Sequence, residues 1–200
     1  MKPILFVDFY RTLNHEIYWR SLPSNLQKKV EEFLFANNKA VINDWMRGEY
    51  TSEEINKLLA KKLNVPFDYL WEIFVKDCKT MLVSEETLKK IARLRDKFIV
   101  VLITGNMDSF NAYTIPALKL EKYFDYISNS FDEKKHKNDE EGILFREYSK
   151  KFNSPLSKSF LIDDSDSVCK IFTALGGTAY KVDEEKDADY YLDALLAKKY

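Results

Sequence analysis

Cysteine and histidine are scarce in this sequence. Cys78 and Cys169 are the only two cysteines and lie far apart, so a disulfide framework is not expected and a reducing, cytoplasmic setting is. Neither cysteine has a partner at metal-ligand spacing, and His15 and His136 are too few and too separated for a zinc site. No stretch approaches the roughly 20 apolar residues of a membrane span. The apolar opening, Met1 to Val7, is cut off by Asp8 and falls short of a signal peptide. Charge of one sign is not in excess either. The formal net charge is -1, which excludes nucleic acid and anionic membrane as expected partners, because both require a basic face. The lysines at 134, 135 and 137 are interleaved with acids, the pattern of a solvated face. Internal repeats, low-complexity tracts and Ser/Gly-rich linkers are missing as well.

What is present is enough for a packed core. The chain has 200 residues, 46% of them hydrophobic, which fits one sizeable domain or a core with an appendage. Four short apolar runs read as strands. Ile4–Val7 ends in Asp8, Phe98–Ile103 ends in Thr104-Gly105-Asn106, Ser159–Ile162 ends in Asp163-Asp164, and Thr178–Val182 ends in Asp183. Continuous rather than alternating hydrophobicity points to strands covered on both faces, as in a parallel sheet. Helical periodicity fills the gaps at 84–97, 140–151 and 168–175, the last closed by Gly176-Gly177. The expected class is therefore α/β, a Rossmann-like parallel sheet flanked by helices. Residues 15–82 break the rhythm, with helical segments at 25–36, 40–46, 51–63 and 67–79. An insertion of this size after the first strand predicts an α-helical cap at 15–82 over a core formed by 1–14 and 83–200. The aromatics Phe9, Phe110, Tyr113, Trp19, Trp45 and Trp71 read as packing residues of the core and the cap–core seam.

In open parallel sheets, ligands bind beyond the carboxyl ends of the strands. Polar residues collect at those ends here. The segment Phe6-Val7-Asp8-Phe9-Tyr10-Arg11-Thr12-Leu13 resembles the first motif of the haloacid-dehalogenase-like superfamily, an apolar strand followed by Asp-x-Asp-Gly-Thr-Leu. The remaining motifs follow in order. Thr104 stands where that family carries a Ser or Thr, followed by Gly105-Asn106. Phe124–Ser130 resembles the lead-in to its third motif, with Lys137 at the position of the family's lysine and Lys134 and Lys135 close by. Phe160-Leu161-Ile162-Asp163-Asp164-Ser165 resembles its acidic fourth motif. The resemblance covers nearly the whole chain. It implies Asp8 as nucleophile, Thr104, Gly105, Asn106 and Lys137 on a phosphate, and Mg²⁺ held by Asp8, the Tyr10 carbonyl and Asp164. Asp163 is then either a further ligand or the residue that orients the loop. Asp166 reads either as a supporting acid or as a helix cap. Hard carboxylate oxygens suit Mg²⁺.

Two positions depart from the pattern. Tyr10 replaces the second acid, which in phosphatases of that family protonates the leaving group. General acid–base help contributes roughly 10²–10⁴ in rate, and phenols hold their proton at neutral pH. Arg11 replaces a glycine, and reads either as a cation for an anionic substrate or as a solvent-facing side chain. Three functions are therefore expected to compete. The first is magnesium-dependent, phosphatase-like hydrolysis of a small phosphorylated metabolite. The second is metal-independent hydrolysis of the haloacid dehalogenase type, whose motif Asp-x-Tyr-Gly-Thr resembles this one. The third is non-catalytic phosphate or metabolite binding.

Overall fold

A computed structural model describes residues 2–198. Five strands form one parallel sheet: β1 (Ile4–Val7), β2 (Ile99–Thr104), β3 (Tyr126–Asn129), β4 (Phe160–Asp163) and β5 (Thr178–Lys181). Their order is β3-β2-β1-β4-β5, with Ile4 opposite Ile99 and Leu5 opposite Phe160. The chain runs outward from β1 through β2 to β3, then returns to β1's other side for β4. This reversal makes the carboxyl ends of β1 and β4 the topological switch point, where a crevice opens. Asp8 and the Asp163-Asp164 pair sit there.

Alternation along the strands divides the core in two. Leu5, Val7, Val100 and Leu102 face one side, against Leu88, Ile91 and Leu94 of α5 (Glu85–Leu94) and Leu192 and Leu195 of α10 (Ala188–Ala197). Ile4, Phe6, Val101 and Ile103 face the other, against Leu144, Phe145 and Tyr148 of α8 (Ile143–Lys151) and Val168 and Phe172 of α9 (Asp166–Ala174). All four β1 residues are fully buried, each such apolar side chain stabilising by about 1.5–3 kcal/mol. This is why the run that ends in Asp8 is rigid.

Between β1 and α5 lie four helices, α1 (Ser24–Val30), α2 (Lys39–Met46), α3 (Ser52–Leu63) and α4 (Phe67–Lys79), with α1 continuing as a π-helical segment over Glu31–Ala36. They enclose a separate cluster of Trp19, Leu34, Trp45, Leu59, Leu70 and Phe74, into which Met107 inserts from the sheet side. Thr51 opens α3 through a capping box with Glu54, and Asn64 closes it in the left-handed conformation. Trp19 and Trp45 pack on Phe74, Trp71 meets Tyr113 edge-on, and Phe9 meets Phe110. Both cysteines are buried and free. Among the described residues, no helix is long and apolar enough to cross a membrane.

One helix differs from its sequence reading. The segment expected to start at Glu140 starts at Ile143 instead, because Glu140, Glu141 and Gly142 have φ of 44°, 53° and 83°. Left-handed residues cannot continue a right-handed helix. The strand β3 has no counterpart among the expected strands. Two of its four residues, Ser128 and Asn129, are polar, so it lacks a continuous apolar run.

Candidate active site

The site is built on three strand ends and one loop. The Asp8 backbone N–H donates to Ile162 O of β4 at 3.0 Å, so the nucleophile candidate is still locked to the sheet. The chain then turns sharply: Leu13 and Asn14 donate their N–H groups to Phe9 O, and Arg11 N donates to Asn14 O at 2.7 Å. Arg11 takes φ of 61° to make this turn. A left-handed conformation is free of strain for glycine and costs other residues roughly 1 kcal/mol or more, which fits the glycine found here in the motif this segment resembles. The Thr12 hydroxyl points back at Asp8 Oδ2, 3.5 Å away.

Lys137 reaches this point from the loop between α7 (Ser130–Glu133) and α8. Its Nζ lies 2.7 Å from Asp8 Oδ1 and 2.5 Å from Asp163 Oδ2. The two neighbouring lysines go elsewhere: Lys134 donates to Gly48 O, and Lys135 pairs with Glu147. Asp163 is fully buried, and its other oxygen accepts from Ser165 N at 2.8 Å. Both Asp163 oxygens thus accept hydrogen bonds within the protein, one from Lys137 and one from the loop that follows β4. Asp164 is half-buried beside it. Asp166 takes neither expected role: it pairs with Lys170 and Lys181 at the surface, while Ser165 caps α9.

One ligand oxygen each from Asp8, Asp163 and Asp164 falls within a 4.8 Å span. With every group ionised, the three carboxylates and one ammonium leave a formal excess of two negative charges. The electrostatics reflect that excess. Burial pushes the Asp8 carboxyl up to about 7; Lys137 pulls it down, and Asp163 pushes it further up. Asp164 is raised by burial and by Asp163. Burial disfavours the charged Lys137, but Asp8 and Asp163 outweigh this and hold its proton firmly in place. Like charges crowded at a buried strand edge repel unless a cation offsets them. A divalent ion would neutralise that formal excess, and an all-oxygen donor set suits Mg²⁺ rather than a softer metal. The Tyr10 carbonyl accepts no hydrogen bond from the described residues, leaving it available as a further oxygen ligand.

Thr104 ends β2, next to β1 in the sheet. Its Oγ1 is buried and has no hydrogen-bond partner among the described residues. Leaving a buried hydroxyl unpaired costs about 1–3 kcal/mol, and this one stands at the carboxyl end of β2, beside Asp8's strand. Gly105 lies against His136 and Met46. The Asn106 N–H donates to Ser130 Oγ, and its Oδ1 accepts from the Tyr18 hydroxyl and from Met107 N. Only the Nδ2 of Asn106 is left for a ligand.

Several residues that shape the site carry no sequence signal. Asp108 accepts from Trp45 Nε1 and from Ser52 N and Oγ. His136 Nε2 meets Asn43 Oδ1 at 2.9 Å, and Arg47 pairs with Asp139 at 2.7 Å. These contacts hold α2 and α3 against the loops that follow β2 and β3. Between them lies a cavity of about 360 Å³, lined by residues that directly follow Asp8 and Thr104 and by side chains of the helical layer.

No protein-family model matches the sequence, and no curated protein matches it. Solved structures do. A HAD family enzyme from Bacteroides thetaiotaomicron, solved with magnesium and inorganic phosphate, is 18% identical with a TM-score of 0.73, over 96% of this chain and 99% of that one. A predicted HAD-like family hydrolase from Porphyromonas gingivalis is 19% identical with a TM-score of 0.75 over all of both chains. The 2-haloacid dehalogenase from Pseudomonas syringae pv. Tomato DC3000 is 13% identical with a TM-score of 0.63, over 98% and 99%. With its five-stranded parallel sheet and this end-to-end likeness, the chain has the fold of the haloacid-dehalogenase-like superfamily.

Proposed function

We propose that this protein is a magnesium-dependent hydrolase of phosphoesters that acts on a small phosphorylated metabolite through an aspartyl-phosphate on Asp8. The observation that carries this reading is the sharing of one ammonium, Lys137, between Asp8 and Asp163 inside a cluster of three carboxylates. Asp8, Asp164 and the Tyr10 carbonyl would hold the ion, whose charge lets an anionic phosphate approach an anionic nucleophile. Lys137 and the free Thr104 hydroxyl would bind phosphate oxygens. An Asp8 oxygen attacks phosphorus, and the ester P–O bond breaks with its electron pair leaving on the alcohol oxygen. Water then attacks the phosphorus, Asp8 leaves as carboxylate, and inorganic phosphate is released. Residues 15–82 would act as a cap that shields this chemistry from solvent. The test is phosphate release from p-nitrophenyl phosphate and acetyl phosphate with and without Mg²⁺. The expected result is metal-dependent turnover that Asp8→Asn abolishes.

A second reading follows from Tyr10 and from the dehalogenases among the similar structures. In it, Asp8 attacks carbon and halide leaves, with no metal required. Halide release from a chloroalkanoate, unaffected by a chelator, would favour it over phosphoester hydrolysis. Turnover of neither substrate class would favour a non-catalytic phosphate-binding role.

A further inference from the structure

We infer that the substrates are phosphate monoesters of aromatic hydroxyl compounds, with the ring system held in the cavity between the turn after Asp8 and the α1–α2 segment; this rests on the phosphoester reading above. The cavity adjoins the reacting groups on both sides, since Phe9, Tyr10 and Arg11 directly follow Asp8, and Gly105, Asn106 and Met107 directly follow Thr104. Its volume of about 360 Å³ suits a small ligand. Ile17, Phe35, Ile42, Met46, Met81 and Met107 make its walls apolar. Thioethers pack well on aromatic rings.

Most polar side chains in the lining are already engaged; Arg11, the Tyr10 hydroxyl and Asn106 Nδ2 are those left without a hydrogen-bond partner among the described residues. Asn14 donates to Leu82 O and accepts from Glu16 N; Glu16 accepts from Leu82 N and pairs with Arg20. Asn106 Oδ1 accepts from Tyr18. A sugar or polyol entering here would give up its bonds to water and recover few of them. A flat apolar ring loses nothing of that kind.

A separate observation leads to the same class. The position next to the nucleophile holds Tyr10, exposed at 38%, instead of a carboxylic acid. An aryl oxygen needs no proton to leave. Asp8 attacks phosphorus, the P–O(aryl) bond breaks, and the electron pair departs on a phenolate that takes its proton later from water. Arg11 is the one cation lining the cavity and has no carboxylate partner among the described residues. It supplies positive charge toward which the phenolate charge develops.

The test compares kcat/KM for phenyl and naphthyl phosphate, with acetyl phosphate as a ringless reference, and measures naphthol binding to magnesium-free protein by fluorescence. Naphthyl phosphate should exceed phenyl phosphate by about five- to tenfold from the extra apolar area buried. Ile42→Asp should bring that ratio toward one and weaken naphthol binding at least about tenfold. Phe35→Asp, at a position already 39% exposed, should do the same in direction and guards against a misfolded Ile42→Asp; thermal melts check both. Acetyl phosphate turnover with no preference for naphthyl over phenyl phosphate, or a preference that both variants leave intact, overturns the ring site while the phosphoester reading stands. If no phosphoester is hydrolysed, that reading falls, and naphthol binding decides the ring site. Binding lost in the variants supports it; no binding by the wild type overturns it.

Discussion

Asp108 receives both the backbone N–H and the hydroxyl of Ser52, the first residue of α3, at 3.0 Å and 2.5 Å. The carboxylate thus caps the positive end of a helix from another layer of the molecule. It also takes the Trp45 indole N–H. Asp108→Ala should lower stability by about 2–3 kcal/mol, because buried donors lose a charged acceptor. Asp108→Asn should cost less. Urea unfolding followed through Trp fluorescence measures both.

Among the described residues, Lys137 is the one positive charge paired with both Asp8 and Asp163, with its own side chain 12% exposed. Lys137→Met should abolish turnover. It should also destabilise the metal-free protein by about 3 kcal/mol, the range for breaking a buried pair. Uptake of a proton by Asp8 limits the loss, and saturating Mg²⁺ should recover most of it. Thermal melts with and without magnesium read this out.

The Asp8 carboxyl, lifted to about 7 by burial, sets a pH dependence of definite sign. Its folded-state value exceeds its unfolded one, so its contribution to stability is complete below about 4 and is lost as pH rises through 7. Metal-free wild type should therefore lose stability between about pH 4 and 7, at about one proton per molecule, relative to Asp8→Asn. Mg²⁺ competes with the same proton, so affinity for the ion should rise over this window. A wild-type minus Asp8→Asn difference that is flat with pH would contradict the assignment.

Thr104 offers a separation of stability from activity. Its buried Oγ1 has no partner to lose. Thr104→Val is nearly isosteric and removes an unpaired polar atom, so stability should hold or rise by up to about 1–3 kcal/mol. Phosphate release should fall by about 10²-fold or more, the scale of one missing oxyanion donor. A valine variant that unfolds more easily would mean that the hydroxyl is structural.

Tyr10→Asp restores an acid beside the nucleophile. Hydrolysis of alkyl phosphates, whose leaving groups are strongly basic, should rise by up to about 10²-fold, with less change for aryl esters. Rates across both substrate classes for wild type, Tyr10→Asp and Asp8→Asn check this. Wild-type hydrolysis of alkyl phosphates as fast as aryl ones would show that another residue donates the proton.

Much of the scaffold is legible in the sequence for a simple reason. A strand buried on both faces must be a continuous apolar run, and the polar residue ending it must lie at the sheet's carboxyl edge. That logic locates Asp8, Thr104 and the Asp163-Asp164 pair. It fails for β3, whose polar Ser128 and Asn129 are satisfied by Glu133 and Asn111 rather than by burial among apolar groups. Nor does it select Lys137 from three lysines within four positions, since the loop's conformation decides which one turns inward. Asp108 and the cavity walls at Phe35, Ile42 and Met46 escape it entirely. Their roles arise from packing between layers distant in sequence, and an isolated acid or apolar residue carries no mark of that.

The crossing from β1 into the helical layer and the return from it are laced together. Asn14 donates to Leu82 O, and Leu82 N donates to Glu16. This matters for how the chain finds its fold. The central pairing of the sheet, Ile4 with Ile99, joins segments that an unordered chain would have to bring together across a long loop, at an entropic penalty that grows with loop length. Helices form from local contacts and order quickly. Once α1–α4 have packed on their own cluster, their two ends stand side by side, and the loop closing β1 onto β2 shrinks to the turn after Asp8 on one side and the α5 segment on the other. The insertion thus serves as an internal splint, lowering the effective contact order of the sheet it interrupts.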